Sequence, residues 1–96
     1  MSKSAYIYIL TSAPHGTLYI GVTSNLAGRV WQHKSDVVDG FTKNYDVHRL
    51  VHYEVFDEIT QAIAREKQLK NWKRDWKVEL IEEKNPDWVD LYPSLF

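Results

Sequence analysis

Residues 5–22, AYIYILTSAPHGTLYIGV, decide how the chain folds. Two runs rich in aromatic and β-branched residues, Ala5–Leu10 and Thr17–Val22, flank the cluster TSAPHG. Such runs favour a pleated surface, and Pro14 and Gly16 between them favour a turn. The stretch therefore predicts a β-hairpin. A period of two puts Tyr6, Tyr8 and Leu10 on one face of the first strand. Tyr19 and Gly21 share one face of the second.

Outward from the hairpin the period changes. Thr23, Ser24 and Asn25 offer helix N-cap oxygens, and a helix is expected to run to about Ser35. Leu26, Arg29, Val30 and His33 fall at i, i+3, i+4 and i+7 and share its inner face. Asp36–Val47, with Gly40 and Asn44, reads as a loop. Arg49–Phe56 (RLVHYEVF) reads as a third strand. Asp57 is expected to cap a second helix from Glu58 to about Trp72. Its stripe is Ile59, Ala62, Ile63, Glu66 and Leu69, with Glu66 near the centre. A third helix is expected over about Arg74–Glu83, ended before Pro86. Trp88, Leu91, Tyr92 and Phe96 of the tail are expected to dock on the core. The order β-β-α-β-α-α lacks the alternation of a doubly wound sheet. The expected fold class is α+β, a small three-stranded, mainly antiparallel sheet flanked by helices, with residues 1–96 as a single domain.

Composition narrows the function classes. The 96 residues contain no cysteine, which excludes disulfides, thiolate zinc sites and a cysteine nucleophile. No apolar run approaches the ~18 residues of a membrane span, and the N-terminus lacks a secretory pattern. A soluble, cytoplasmic protein with no membrane partner is the expectation. The net charge of −1 conceals an uneven distribution. Arg65, Lys67, Lys70, Lys73, Arg74 and Lys77 form a basic stretch. Glu79, Glu82, Glu83, Asp87 and Asp90 follow as an acidic one. The plain reading of both is a solvated helical surface. The four tryptophans are expected to be core.

Three polar residues fall on faces that should be apolar: Arg29, His33 and Glu66. A charge on such a face is costly unless it is paired or chemically employed. One explanation is an Arg29–Glu66 ion pair, or snorkelling at a helix edge. The other is convergence with Tyr8 and Tyr19 in a cleft. That cleft would combine a carboxylate for a metal, a guanidinium for an oxyanion, an imidazole and two phenols. His15, His48 and His52 show no metal-ligand spacing and read as surface or strand residues.

These residues resemble the GIY-YIG nuclease superfamily. Tyr6-Ile7-Tyr8 stands at its first motif and Tyr19-Ile20-Gly21 at its second. Thr23, Asn25, Leu26, Arg29 and His33 lie in YIGVTSNLAGRVWQHK, which is similar to the helix after the second motif. Glu66, in AREKQLKNWKRDWK, resembles the family's metal-binding carboxylate, and Asn85, in NPDWVDL, its closing motif. Tyr6 replaces the glycine of the first motif. Val22 stands where many members have lysine, which shifts a phosphate contact to His33 or to a lysine of residues 67–77.

The resemblance implies an endonuclease that hydrolyses DNA phosphodiester bonds with one Mg²⁺ or Mn²⁺, with a role in repair or recombination. The implied catalytic residues are Tyr8, Tyr19, Arg29, His33 and Glu66, with Glu66 as the metal ligand. Either tyrosine suits the base. Thr23, Lys67, Lys70, Arg74 and Asn85 are the implied substrate contacts. DNA is the expected partner, with a targeting protein to supply specificity. Two other readings compete: a catalytically idle nucleic-acid-binding module, and an adaptor that uses Trp72, Trp76 and Trp88.

Overall fold

The structure, a computed structural model, describes residues 4–35 and 45–96. Three strands, β1 (Ala5–Thr11), β2 (Leu18–Thr23) and β3 (Arg49–Phe56), form one antiparallel sheet in the order β2-β1-β3. Three α-helices are described, α1 (Leu26–Lys34), α2 (Ile59–Asn71) and α3 (Arg74–Lys84), and a 3₁₀ turn at Tyr92–Leu95 follows. The chain is thus α+β in the expected order. The expected loop over residues 36–47 lies outside the described residues as far as residue 44.

β1 reads as an unbroken apolar run because it is central and covered on both faces. Ala5, Ile7 and Ile9 point to one side, where Ile20, Val51, Ala62, Leu69, Ile81 and Trp88 complete a core beneath α2 and α3. Tyr8 and Leu10 point to the other, where Leu26, Val30, Val47 and Leu50 close a second core beneath α1. Ile9 pairs with His52 but Leu10 pairs with Leu50, so Val51 is an extra residue in β3. By strand alternation Leu50 and Val51 bury into different cores.

α2 begins one residue later than expected. Glu58 is its N-cap, and Gln61 Oε1 accepts from the Glu58 N–H at 3.2 Å, so Asp57 is not the cap. Its buried line is narrower than expected. Ala62 and Leu69 are buried, whereas Ile59 and Ile63 stay largely in solvent. Asn85 caps the end of α3, as Pro86 requires. The tail docks through Trp88, which is buried, and through Asp90. Asp90 Oδ1 accepts from the N–H groups of Leu50 and Tyr92, and its other oxygen pairs with Lys34. Phe96 does not dock; it is 82% exposed. The tryptophans divide likewise. Trp88 is core, but Trp31 and Trp76 are about half exposed, against the expectation for all four.

Candidate active site

Tyr8 lies opposite Gly21 in the β1–β2 ladder. A Cβ on residue 21 would stand 2.4 Å from the Tyr8 hydroxyl oxygen. The glycine therefore leaves the space that the phenol fills. Tyr19, two residues earlier, points to the same side. The Tyr8 and Tyr19 ring centroids are 6.2 Å apart.

α1 closes this pocket from above. Its start is fixed by two short contacts: Thr23 Oγ1 accepts from the Asn25 N–H at 3.0 Å, and Asn25 Oδ1 accepts from the Gly28 N–H at 3.2 Å. A Cβ on residue 28 would stand 2.3 Å from Asn25 Nδ2, so a larger residue there would require the Asn25 side chain to shift. From this start, Leu26, Val30 and His33 face the sheet and are buried. His33 Nε2 lies 3.1 Å from the Tyr8 hydroxyl, and its ring centroid is 5.4 Å from that of Tyr19. Arg29 stands on the flank of the same face, near enough for its charge to favour the ionised form of Tyr8. Its Nη1 donates to Gln32 Oε1 at 3.1 Å.

The electrostatics are those of a dry pocket. Burial pushes the Tyr8 phenol up to about 12, although Arg29 pulls in the opposite direction. Burial also lowers His33 to about 4, aided by the charges of Arg29 and His48. Both rings are therefore neutral at pH 7. With the proton on Nδ1, His33 Nε2 accepts from the Tyr8 hydroxyl. Tyr8, Tyr19, Arg29 and His33 thus converge as the spacing suggested. Two members of the cluster were not legible. Gln32 braces Arg29, and its i+3 spacing was the available signal. His48 was read as a surface or strand residue, yet it lies within electrostatic reach of His33.

Glu66 arrives from α2, across the edge of the sheet. The Arg29–Glu66 ion pair, one of the two explanations open from the sequence, is not formed; Glu66 pairs with Lys70 at 3.6 Å. One flank of α2 faces β3, because Arg65 donates to Glu54 at 2.9 and 3.1 Å. Glu66 and Lys70 project from the opposite flank, beside the edge strand β2. Ile59 shares a surface depression with Ser24, and Lys70 shares a groove with Tyr19 and Ile20. α2 packs on the face of the sheet that carries Ile7 and Ile9, whereas Tyr8 lies on the other face, and Glu66 makes no hydrogen bond or ion pair with Tyr8, Tyr19, Arg29 or His33. Its side chain is 17% exposed, and Lys70 is its partner among the described residues.

No group of three His, Cys, Asp or Glu able to hold a metal ion occurs among the described residues. A single half-buried carboxylate still fits a hard divalent cation that takes its remaining ligands from water and phosphate. Mg²⁺ binds in that manner.

The residues implied as substrate contacts separate. Lys70 and Lys77 line the groove of about 300 Å³ beside Leu18, Tyr19 and Ile20. Lys67 is exposed. Thr23 is engaged in the turn before α1. Arg74 Nη2 donates to the carbonyls of His15 and Gly16, each at 2.7 Å, and so ties α3 to the hairpin turn. Asn85 is buried, and its amide is spent on backbone. Nδ2 donates to the carbonyls of Val51 and Val89, and Oδ1 accepts from the Val89 N–H. Both side chains position backbone in this structure.

The chain is similar to known proteins over most of its length. The model of the GIY-YIG catalytic domain matches residues 4–79. A UPF0213 protein of Syntrophus aciditrophicus is 38% identical over 88 residues, 91% of this chain and 98% of that protein. A UPF0213 protein of Bacillus licheniformis is 35% identical, covering 97% of this chain and 95% of its own length. The solution NMR structure of a UPF0213 protein from Bacillus halodurans superposes with a TM-score of 0.56 at 26% identity. That match covers 91% of this chain and 92% of the other.

Proposed function

The chain belongs to the GIY-YIG catalytic-domain family, and from that premise we propose that it is a DNA endonuclease that uses one divalent cation held by Glu66. The observation that carries this reading is the convergence of Tyr8, Tyr19, Arg29 and His33 on one side of the β1–β2 hairpin. A merely structural core has no need of two phenols, an imidazole and a guanidinium together.

Each group has a task in phosphodiester hydrolysis. The Arg29 guanidinium is planar and suits the non-bridging oxygens of phosphate. Gln32 holds it in place. The two phenols act as one unit. Tyr19, half-exposed, is the end that meets solvent, and Tyr8 is the end that reaches His33. A proton taken from the attacking water passes along this pair to His33 Nε2, which is unprotonated at pH 7. Burial keeps the Tyr8 phenolate from forming in the resting protein, and the Arg29 charge works against that burial. A bound Mg²⁺ or Mn²⁺, which Glu66 would hold, would supply positive charge for the leaving oxygen. Lys70 and Lys77 stand where the flanking backbone would pass.

A cleavage assay over duplex, flap, branched and single-stranded DNA, with Mg²⁺, Mn²⁺ or EDTA, tests the proposal. Metal-dependent scission of at least one substrate is expected. Binding with no scission in either metal would instead support an idle nucleic-acid-binding module. A role in DNA repair or recombination, in the cytoplasm and directed by a targeting protein, is part of the same proposal.

A further inference from the structure

We propose that the outer face of α3 is a docking site for an arginine-bearing basic segment of a partner protein. Trp72, Trp76, Glu79, Leu80 and Glu83 line a groove of about 370 Å³. Trp72 and Leu80, partly buried against the core, form its base, and Trp76, Glu79 and Glu83 are its exposed walls. Nothing in the nuclease chemistry employs it, and the inference stands independently of that reading.

Three observations define the occupant. First, the groove is aromatic and open. Trp76 is 50% exposed and meets Trp72 edge to face at 6.0 Å, so a face of its indole is free to be covered. Second, the groove is acidic. Glu79 and Glu83 are one helical turn apart, both exposed, and neither has an ion-pair partner among the described residues. Third, the chain already shows what its indoles accept. The Arg65 guanidinium carbon sits 5.1 Å from the centre of the Trp72 ring.

Together these features fit a guanidinium. Its fork matches a carboxylate, its plane stacks on indole, and its methylene stem suits Leu80. A nucleic acid is a poor occupant, because Glu79 and Glu83 would repel its phosphates. The lysines of the proposed DNA path, Lys70 and Lys77, line a different groove beside β2. A basic partner and a nucleic acid can therefore be held at once.

The test is an NMR titration of the full chain, reading the four tryptophan indole N–H signals. The probe is a short capped peptide alternating arginine and leucine, with a citrulline–leucine peptide as its neutral control. The Trp72 and Trp76 signals should move with the arginine peptide, while those of Trp31 and Trp88 stay still. Glu79→Gln with Glu83→Gln should weaken the affinity by roughly fivefold or more, and added salt should do likewise. Both positions are exposed, so the double variant keeps its fold. An equal response to the citrulline peptide, or an unchanged affinity in the double variant, would overturn the proposal. So would movement of the Trp76 signal with duplex DNA, or its dependence on protein concentration alone. Those outcomes would assign the groove to nucleic acid or to a second copy of the chain.

Discussion

Tyr8 and Gly21 are cross-strand partners, and the absent side chain of one is the space occupied by the phenol of the other. Gly21→Ala therefore drives a methyl group into the Tyr8 ring. The side chain cannot yield easily, because it is buried among Leu26, Val30 and Leu50. A loss of about 1–3 kcal/mol is expected from overpacking of this kind. Urea melts of Gly21→Ala, Tyr8→Ala and the double variant measure it. The double variant should lose less than the sum of the singles, since it removes the clash. Simple additivity would show that the two positions do not compete for one space.

Tyr8→Phe and Tyr19→Phe each remove one hydroxyl from the proton path and leave the ring packing intact. Cleavage should fall by roughly 10²–10⁴ in each if the two phenols act as one unit. Rates under single-turnover conditions are the measurement. Full activity in either variant would remove that hydroxyl from the mechanism.

His33 should make the fold sensitive to acid. Its folded value of about 4 lies below the ordinary 6.5. Below pH 6.5 the unfolded chain takes up a proton that the folded chain refuses. Stability is therefore complete above pH 6.5 and falls as the pH drops toward 4, by up to about 3 kcal/mol. Glu54 adds a second loss at lower pH. Its hydrogen bond from His52, with the contacts of Arg65, holds its carboxyl down at about 2 against an ordinary 4.5. That contribution is present above pH 4.5 and fades toward pH 2. Denaturation curves across this range, for the wild type and His33→Phe, separate the two. The variant should show a flat response between pH 6.5 and 4.5 and keep the later loss. A variant as acid-sensitive as the wild type in the upper window would assign that loss elsewhere.

The strands and helices were legible because their periods are clean: alternation in 5–22, then Leu26, Val30 and His33 at helical spacing. Of the three polar residues on expected apolar faces, His33 meets Tyr8 and Arg29 lies within electrostatic reach of it, while Glu66 pairs with Lys70 on α2. What the sequence concealed depends on contacts distant along the chain. Arg74 and Asn85 looked like substrate contacts, but each holds backbone far away, at His15 and Gly16 or at Val51. The bulge at Val51 left no local signal, because a bulge is a property of a pair of strands. Trp76 contradicted the expectation of burial because it lies on the side of α3 away from Ile81 and Val78, which pack on the core.

The basic stretch should therefore divide by function. Lys70→Ala should lower DNA affinity and reduce the slope of log affinity against log salt by about 0.9, the share of one phosphate. Arg74→Ala should leave that slope unchanged and lower the melting temperature instead, since it releases the hairpin turn. Binding isotherms over a salt series, run beside thermal melts, measure both. A change of slope for Arg74→Ala equal to that for Lys70→Ala would mean that Arg74 leaves the turn to bind DNA.

The role of Glu66 is the claim on which the rest depends, and one comparison tests it directly: the rate of DNA cleavage by Glu66→Gln and by wild type at saturating Mg²⁺. The substitution keeps the volume and one oxygen but removes the charge that holds a hard cation. Its structural cost should be about 0.5 kcal/mol or less, because the partner it loses, Lys70, is 54% exposed and one helical turn away. The expected result is a folded protein that binds DNA as before and cleaves it slower by about 10³ or more, as losing several kcal/mol of charge stabilisation requires. A folded Glu66→Gln protein that cuts at the wild-type rate would contradict the account.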